Sequence, residues 1–406
     1  MKYSLPTNNI KYLIGDPNSF PTNSKISTPF NDLVIDFLNV FSKKILREKT
    51  YRNYPDIITL GYWCRNGNIS FLKNKYSNLE NRKGKGVAFH ITPSNVPVNF
   101  AYSYIFSLLS GNINIVRVPS RKFEQTSIII NLINSIFDDN KFLDLKNSTF
   151  FINYSSLDNN ITSDFFKISD IRLIWGSNVT VESLRKMYSH PRSFEIIFSE
   201  RYSISILDSS EVLKLNDKDL NVLVKNFYND TFLMDQNACS SPQTIYWYSN
   251  NIKLTKLAKE KFWHAFFEFS KINYDFLDIF SVDKLTDLCS SLINNKDYGD
   301  ISVMDNLIYR IEVNNKKNDI TKLKGKLGLF HEINIKELSM INNSLNTEVQ
   351  TLTYFGLNKE ILYKTIFESN NNGVDRIVPI GKALEIGLIW DGHDLIYSLS
   401  RIINTN

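Results

Sequence analysis

The chain has 406 residues, 43% hydrophobic and 22% charged, a composition that supplies a sizeable core and excludes disordered, collagen-like and disulfide-scaffold classes. Forty-seven basic against forty-two acidic residues leave +5, too mild an excess for the footprint of a nucleic-acid binder. Cys64, Cys239 and Cys289 show no CxxC spacing, so neither a disulfide framework nor a zinc site is expected. Residues 1–16 lack the pattern of a signal peptide, and no run of 18 apolar residues occurs. A reducing, cytoplasmic setting without a membrane span is the expectation.

Along the chain, Asn31–Lys49 has the apolar spacing of a helix, and Asn68–Phe71 reads as a strand start. Strand Gly86–Ile91, helix Val98–Leu109, strand Asn114–Val118 and helix Phe123–Phe137 then alternate. Phe150–Tyr154 and Arg172–Trp175 continue as strands, and Val181–Tyr188 is helical, with Asn178 or Thr180 able to cap it. This rhythm predicts a doubly wound parallel sheet of nucleotide-binding type over 86–207. A second set follows: strand Ser203–Leu207, helix Val222–Phe227, strand Thr244–Trp247, helix Leu257–Phe269, strands Tyr309–Val313, Leu327–Glu332 and Gln350–Tyr354, and helix Lys359–Phe367.

Three segments stand out chemically. His90–Pro97 joins a strand to a helix, and its two prolines hold Asn95 where open α/β sheets bind ligands. An amide fixed there suits a developing oxyanion, although an isolated Asn more often just closes a turn. Asp235–Pro242 puts Cys239 on a loop among small polar residues, where exposed backbone amides would lower its pKa and favour the attacking thiolate. Cys289 lies on a helix with apolar neighbours and reads as inert packing; Cys64 reads as structural. Arg172–Ser177 ends a strand in Gly-Ser ahead of a helix, which offers amides to a phosphate, yet the chain has no GxGxxG. His90 and His393 read as hydrogen-bonded core residues, and the aromatic helix Phe262–Phe269 is either core or the lining of an acyl tunnel.

Together these segments resemble the aldehyde dehydrogenase superfamily and, within it, the acyl-CoA/acyl-protein reductases of the LuxC family, the long-chain fatty acyl-CoA reductases. The resemblance runs from about residue 85 to 401 through "HITPSNVPVNFAYSYIFSLLSGNINIVRVPSR", "IWGS", "MDQNACSSPQ" and "RIVPIGKALEIGLIWDG". It implies an α/β fold with a doubly wound NADP-binding domain (1–207 and 376–406, with the N-terminal helical region) and an α/β catalytic domain (208–375) carrying the cysteine. It places Cys239 on the catalytic thiol and Asn95 on the oxyanion asparagine. Arg117, Ser120 and Arg121 fall on the strand end that meets the adenosine ribose, with Arg117 one position earlier than the family's basic residue. Gly176 and Ser177 fall near the cofactor phosphates, and Glu348 on the glutamate that holds the nicotinamide ribose. No metal is implied.

The activity implied is NADPH-dependent reduction of an acyl thioester to an aldehyde through a covalent Cys239 acyl-enzyme. NAD-dependent aldehyde oxidation to acid and a non-catalytic partner of an acyl-protein synthetase are the alternatives. For a 2′-phosphate, Arg117, Arg121 and Lys122 are candidate cations, or simply a solvated basic helix start. The implied partners are an acyl-CoA or an acyl-protein synthetase, and further copies of the chain. The Glu-Leu-Gly-Gly segment of hydrolytic relatives, whose glutamate activates water, is replaced here by Phe194–Arg201, with Glu195 or Glu200 near its place.

Overall fold

Short apolar strands flanked by amphipathic helices bury both faces of a parallel sheet, and this chain builds two such sheets. The structure, a computed structural model, describes residues 4–93, 96–294, 298–314 and 320–404, which fall into two compact units: residues up to 199 with 393 onward, and 200–392. The sequence placed these divisions at 207/208 and 375/376. They shift because Tyr202–Asp208 and Arg376–Pro379 hydrogen-bond into the sheet of the second unit.

The first unit includes the strands β1 (Lys11–Ile14), β2 (Arg82–Gly84), β3 (Val87–Ile91), β4 (Ile113–Arg117), β5 (Thr149–Asn153), β6 (Ile171–Trp175) and β7 (Phe194–Phe198). Among the described residues the main sheet has the order β1-β5-β4-β3-β6-β7, parallel except for β1. The chain winds outward from β3 through β5, then returns to β6 on the other side. The topological switch point therefore lies at the carboxyl ends of β3 and β6, where such sheets bind their ligands. Gly86, at φ +144°, sets the start of β3: a Cβ there would lie 2.0 Å from Asp170 Oδ2, the oxygen that accepts from the Val87 N–H at 2.8 Å. His90 is buried, with ring nitrogens 2.8 Å from Ser103 Oγ and 3.2 Å from Asn114 Oδ1. Burial holds its pKa down at about 3, so it stays neutral and structural.

Several local expectations are corrected. Asn66–Lys73 is a helix where a strand start was expected, with Ile69 as its buried contact. Ser177, not Asn178 or Thr180, caps the helix Asn178–Arg185, accepting from the Thr180 N–H at 3.3 Å. Cys289 is exposed: the buried face of its helix carries the adjacent Leu288 and not the cysteine.

The second unit contains β8 (Tyr202–Asp208), β9 (Pro242–Tyr248), β10 (Tyr298–Met304), β11 (Ile308–Val313), β12 (Leu329–Ile335), β13 (Val349–Phe355) and β14 (Arg376–Pro379). Their order is β10-β11-β12-β9-β8-β13-β14, with only the β10/β11 pair antiparallel. The aromatic helix, Ile252–Asn273, packs Phe262, Trp263 and Phe266 against Phe227 and Phe330. These rings are core, which resolves the choice between core and tunnel lining for those three side chains. Among the described residues no helix is long and apolar enough to cross a membrane, and no cluster of His, Cys, Asp or Glu could hold a metal.

The segment after β14 is anchored by Asp230, a buried carboxylate that accepts from the Gly381 N–H at 2.6 Å and the Ala383 N–H at 2.8 Å. Burial pushes this carboxyl up to about 7 despite those two bonds. The folded protein therefore binds a proton between pH 4 and 7 that the unfolded chain has released, and this contribution to stability is lost as pH rises through 7. Asp230→Asn removes the titration but turns an NH2 group toward one of the two donors, a cost of about 1–3 kcal/mol. Urea denaturation is expected to show a larger penalty for the variant at pH 5 than at pH 8.

Candidate functional site

Cys239 sits in the turn that feeds β9, at the amino ends of the central strands of the second sheet. Ser203, at the start of β8, donates its hydroxyl to the Cys239 carbonyl at 2.7 Å and accepts from the Thr351 N–H at 3.2 Å. One small side chain thus ties the cysteine turn to both β8 and β13.

The sulfur has a defined neighbour. Gln350 of β13 is buried, and its Nε2 donates to Cys239 Sγ at 3.5 Å and to Asp391 Oδ1. The Gln350 Oε1 accepts from the Thr351 hydroxyl at 3.2 Å. Arg201, just before β8, pairs with Asp375 just before β14. Gln350, Asp375, Arg376, Trp390, Asp391 and Gly392 line a small cleft.

Cys239 is half-buried as a residue. Burial first, and then the Asp391 carboxylate, push its thiol up to about 11, while the Gln350 hydrogen bond and the Arg201 guanidinium act the other way. The lowered pKa expected from the loop composition is therefore not found, because the loop is packed against β13 and a carboxylate faces it. Cys64 is fully buried, and burial raises its thiol far above the ordinary range, as a structural cysteine requires.

In the first unit, Gly176 and Ser177 follow β6 at the switch point. The Gly176 N–H donates to Phe198 O at 3.1 Å, and the Ser177 hydroxyl lies 3.0 Å from Thr180 Oγ1. Arg117 ends β4, with its guanidinium 4.7 Å from the Tyr154 ring centre and a buried Nε that has no hydrogen-bond partner. Its carbonyl accepts from the Thr92 hydroxyl at 2.6 Å, tying the two strand ends together. Ser120 and Arg121 are exposed, and Arg121 lies over Phe123. Asn95 lies outside the described residues, within the connection that leaves β3.

Glu348 precedes β13, two residues before Gln350; its N–H donates to Asn346 Oδ1 at 2.9 Å and its carbonyl accepts from the Tyr202 N–H at 2.8 Å. Glu195 is held on β7 between Arg172 and Arg185, at 3.7 and 3.1 Å, and Glu200 pairs with Lys324 at 3.0 Å. His393 is half-buried, edge-on to Phe198 at 6.5 Å. The residues around the sulfur that sequence reasoning did not single out are Gln350, Asp391, Arg201 and Ser203. The one sequence signal was "WDG", since Asp-Gly marks a turn with positive φ.

Residues 69–265, which include Cys239, match the family model described as Acyl-CoA reductase (LuxC). The chain is 24% identical over 324 residues to the long-chain acyl-protein thioester reductase of Vibrio harveyi, covering 79% of this chain and 63% of that protein. The protein of the same name from Aliivibrio fischeri is 24% identical over 171 residues, 42% of this chain and 33% of its own length. The chain thus spans less than two thirds of these curated relatives. Among solved structures, aldehyde dehydrogenase 21 from Physcomitrella patens superposes with a TM-score of 0.65 at 9% identity, covering 95% of this chain and 88% of that one. The glyceraldehyde-3-phosphate dehydrogenase GapN from Methanocaldococcus jannaschii, complexed with NADP, gives 0.59 at 14% identity over 92% and 88%. Motif order, family match and fold point the same way: residues 69–265 are similar to the acyl-CoA reductases of the LuxC family, and the chain has the fold of the aldehyde dehydrogenases.

Proposed function

We propose that the protein reduces an acyl thioester, an acyl-CoA or an acyl-protein, to an aldehyde through an acyl-enzyme on Cys239. The observation that carries this reading is a cysteine in a turn between strand ends, its sulfur 3.5 Å from a buried amide donor, inside the segment that matches the family. The Cys239 thiol loses its proton, the thiolate adds to the carbonyl carbon, and the donor thiol leaves with a proton. The thioester's activation is conserved on the enzyme, so the step needs no ATP. Asn95 is assigned to the oxyanion by resemblance. Glu195 and Glu200 are both engaged by cations, which supports transfer and reduction over hydrolysis.

The first unit fits a nicotinamide dinucleotide: the capped helix after Gly176 and Ser177 presents amides at the switch point, and the orphaned Arg117 Nε is a buried donor beside the same strand ends. When bound, such a cofactor supplies the hydride that converts the enzyme-bound thioester to aldehyde. NADPH is the proposed form, with Arg117, Arg121 and Lys122 as the cations for its 2′-phosphate. A cytoplasmic setting, an acyl-protein synthetase as partner and self-association complete the proposal.

The test is intact and peptide mass spectrometry after incubation with acyl-CoAs of roughly 4 to 16 carbons, each added CH2 being worth about 0.8 kcal/mol when buried, and no reductant. An acyl mass on the Cys239 peptide is expected. Its absence with every donor, or acid formed at full rate from aldehyde and NADP+ without a thiol acceptor, overturns the reading.

A further inference from the structure

We infer that Gln350 is the donor that stabilises the Cys239 thiolate, and that Asp391 is a positioning residue that keeps the N–H end of the Gln350 amide, not its carbonyl, facing the sulfur. The inference rests on the reading of Cys239 as the nucleophile and gives Gln350 and Asp391 roles that the resemblance does not assign.

An amide side chain has a donor end and an acceptor end, and a rotation of half a turn exchanges them. Facing a thiolate, the donor end attracts and the carbonyl end repels. Both ends of Gln350 are engaged here. The Asp391 carboxylate only accepts, so it selects the NH2 group, and the Thr351 hydroxyl donates to Oε1 at 3.2 Å. The second amide hydrogen is left for Cys239 Sγ at 3.5 Å.

Asp391 is itself held by backbone geometry. It and Gly392 have φ of +49° and +72°, an Asp-Gly turn, and a Cβ on Gly392 would lie 2.9 Å from Asp375 Oδ1. The charges that face the sulfur are Asp391 from this turn and Arg201 from the start of β8, with Asp375 and Arg376 beside them. A carboxylate beside a nucleophilic thiol is electrostatically costly. Its use here is intelligible if orientation of the amide, and not charge, is what it contributes.

The experiment is the rate of Cys239 alkylation by iodoacetamide across the pH range, in the full chain without acyl donor or cofactor, read on the Cys239 peptide because Cys289 is exposed and reacts as well. Gln350→Met keeps the shape and removes the donor; Gln350→Ala is the second variant, used with it so that a folding defect in one leaves the other. Both are expected to alkylate about tenfold more slowly at a fixed pH, with the profile displaced upward. Asp391→Asn keeps an acceptor and removes the charge, so it alkylates faster than the parent. Asp391→Leu removes both and falls below Asp391→Asn. Profiles for the folded Gln350 variants that coincide with the parent, or equal profiles for the two Asp391 variants, overturn the inference. Alkylation needs no acyl donor: shifted profiles without any acyl adduct would refute the reductase reading alone, and adducts with unshifted profiles would refute this inference alone.

Discussion

Cys239→Ala is expected to eliminate the acyl adduct and to lower aldehyde formation from acyl-CoA and NADPH by on the order of 10^4-fold or more, because no other described group in the second unit takes the sulfur's place. The fold should survive. The residue is half-buried, and its backbone tie, the 2.7 Å bond from Ser203 to its carbonyl, does not involve the side chain. A melting temperature close to that of the parent with activity at the detection limit is the combined result that supports the assignment. Retention of a tenth of the rate would refute it.

Cys239→Ser separates chemistry from shape: its hydroxyl can still accept from Gln350, but it forms the attacking anion far less readily than a thiol. The parent protein should also show a steep pH profile. Since its thiol is pushed up to about 11, the thiolate fraction, and with it the single-turnover acylation rate at saturating acyl-CoA, should rise about tenfold per pH unit between 7 and 10. A flat profile above pH 7 would mean that substrate binding itself draws the proton from sulfur.

The parallel winding of the first unit was legible because its strands are short apolar runs punctuated by Gly111, Pro119 and Gly176. Asn66–Lys73 was misread because Ile69 and Phe71 lie two apart, as on a strand, although Ile69 is buried and Phe71 is not. The same locality explains Cys289: Leu285 and Leu292 flank it in sequence, but both face solvent, and only tertiary packing decides which helix face is inside. Cys239 announced itself through its small polar neighbours. Gln350 and Asp391 could not, because they stand 41 positions apart in sequence, and Gln350 is 111 positions from the sulfur. Their meeting is set by the parallel register of β8, β9 and β13 and by one left-handed turn. Local chemistry is visible in a string of residues; an arrangement made by sheet order is not.

Glu332→Leu is expected to be the most damaging single change to the second unit. Glu332 is buried on β12, and its Oε1 accepts from both the Trp247 and the Trp263 indole N–H at 2.7 Å. Its Oε2 lies 3.8 Å from Lys259 Nζ and 3.6 Å from Arg310 Nη1, and the Arg310 guanidinium lies over the Trp263 ring. Removing the carboxylate leaves two buried indole donors without an acceptor and two cations short of a partner, a loss of about 3–5 kcal/mol. Glu332→Gln keeps an acceptor for the indoles and should cost less, about 1–3 kcal/mol. For a unit of this size the leucine variant should melt roughly 6–20 °C lower. Tryptophan fluorescence makes the cause visible, since freed indoles emit differently from bonded ones. β12 pairs with β9, and β9 begins at the cysteine turn, so the leucine variant should also lose acylation of Cys239 on warming before the first unit unfolds. A leucine variant as stable as the glutamine variant would show that packing around the two tryptophans, not the carboxylate, holds this part of the sheet.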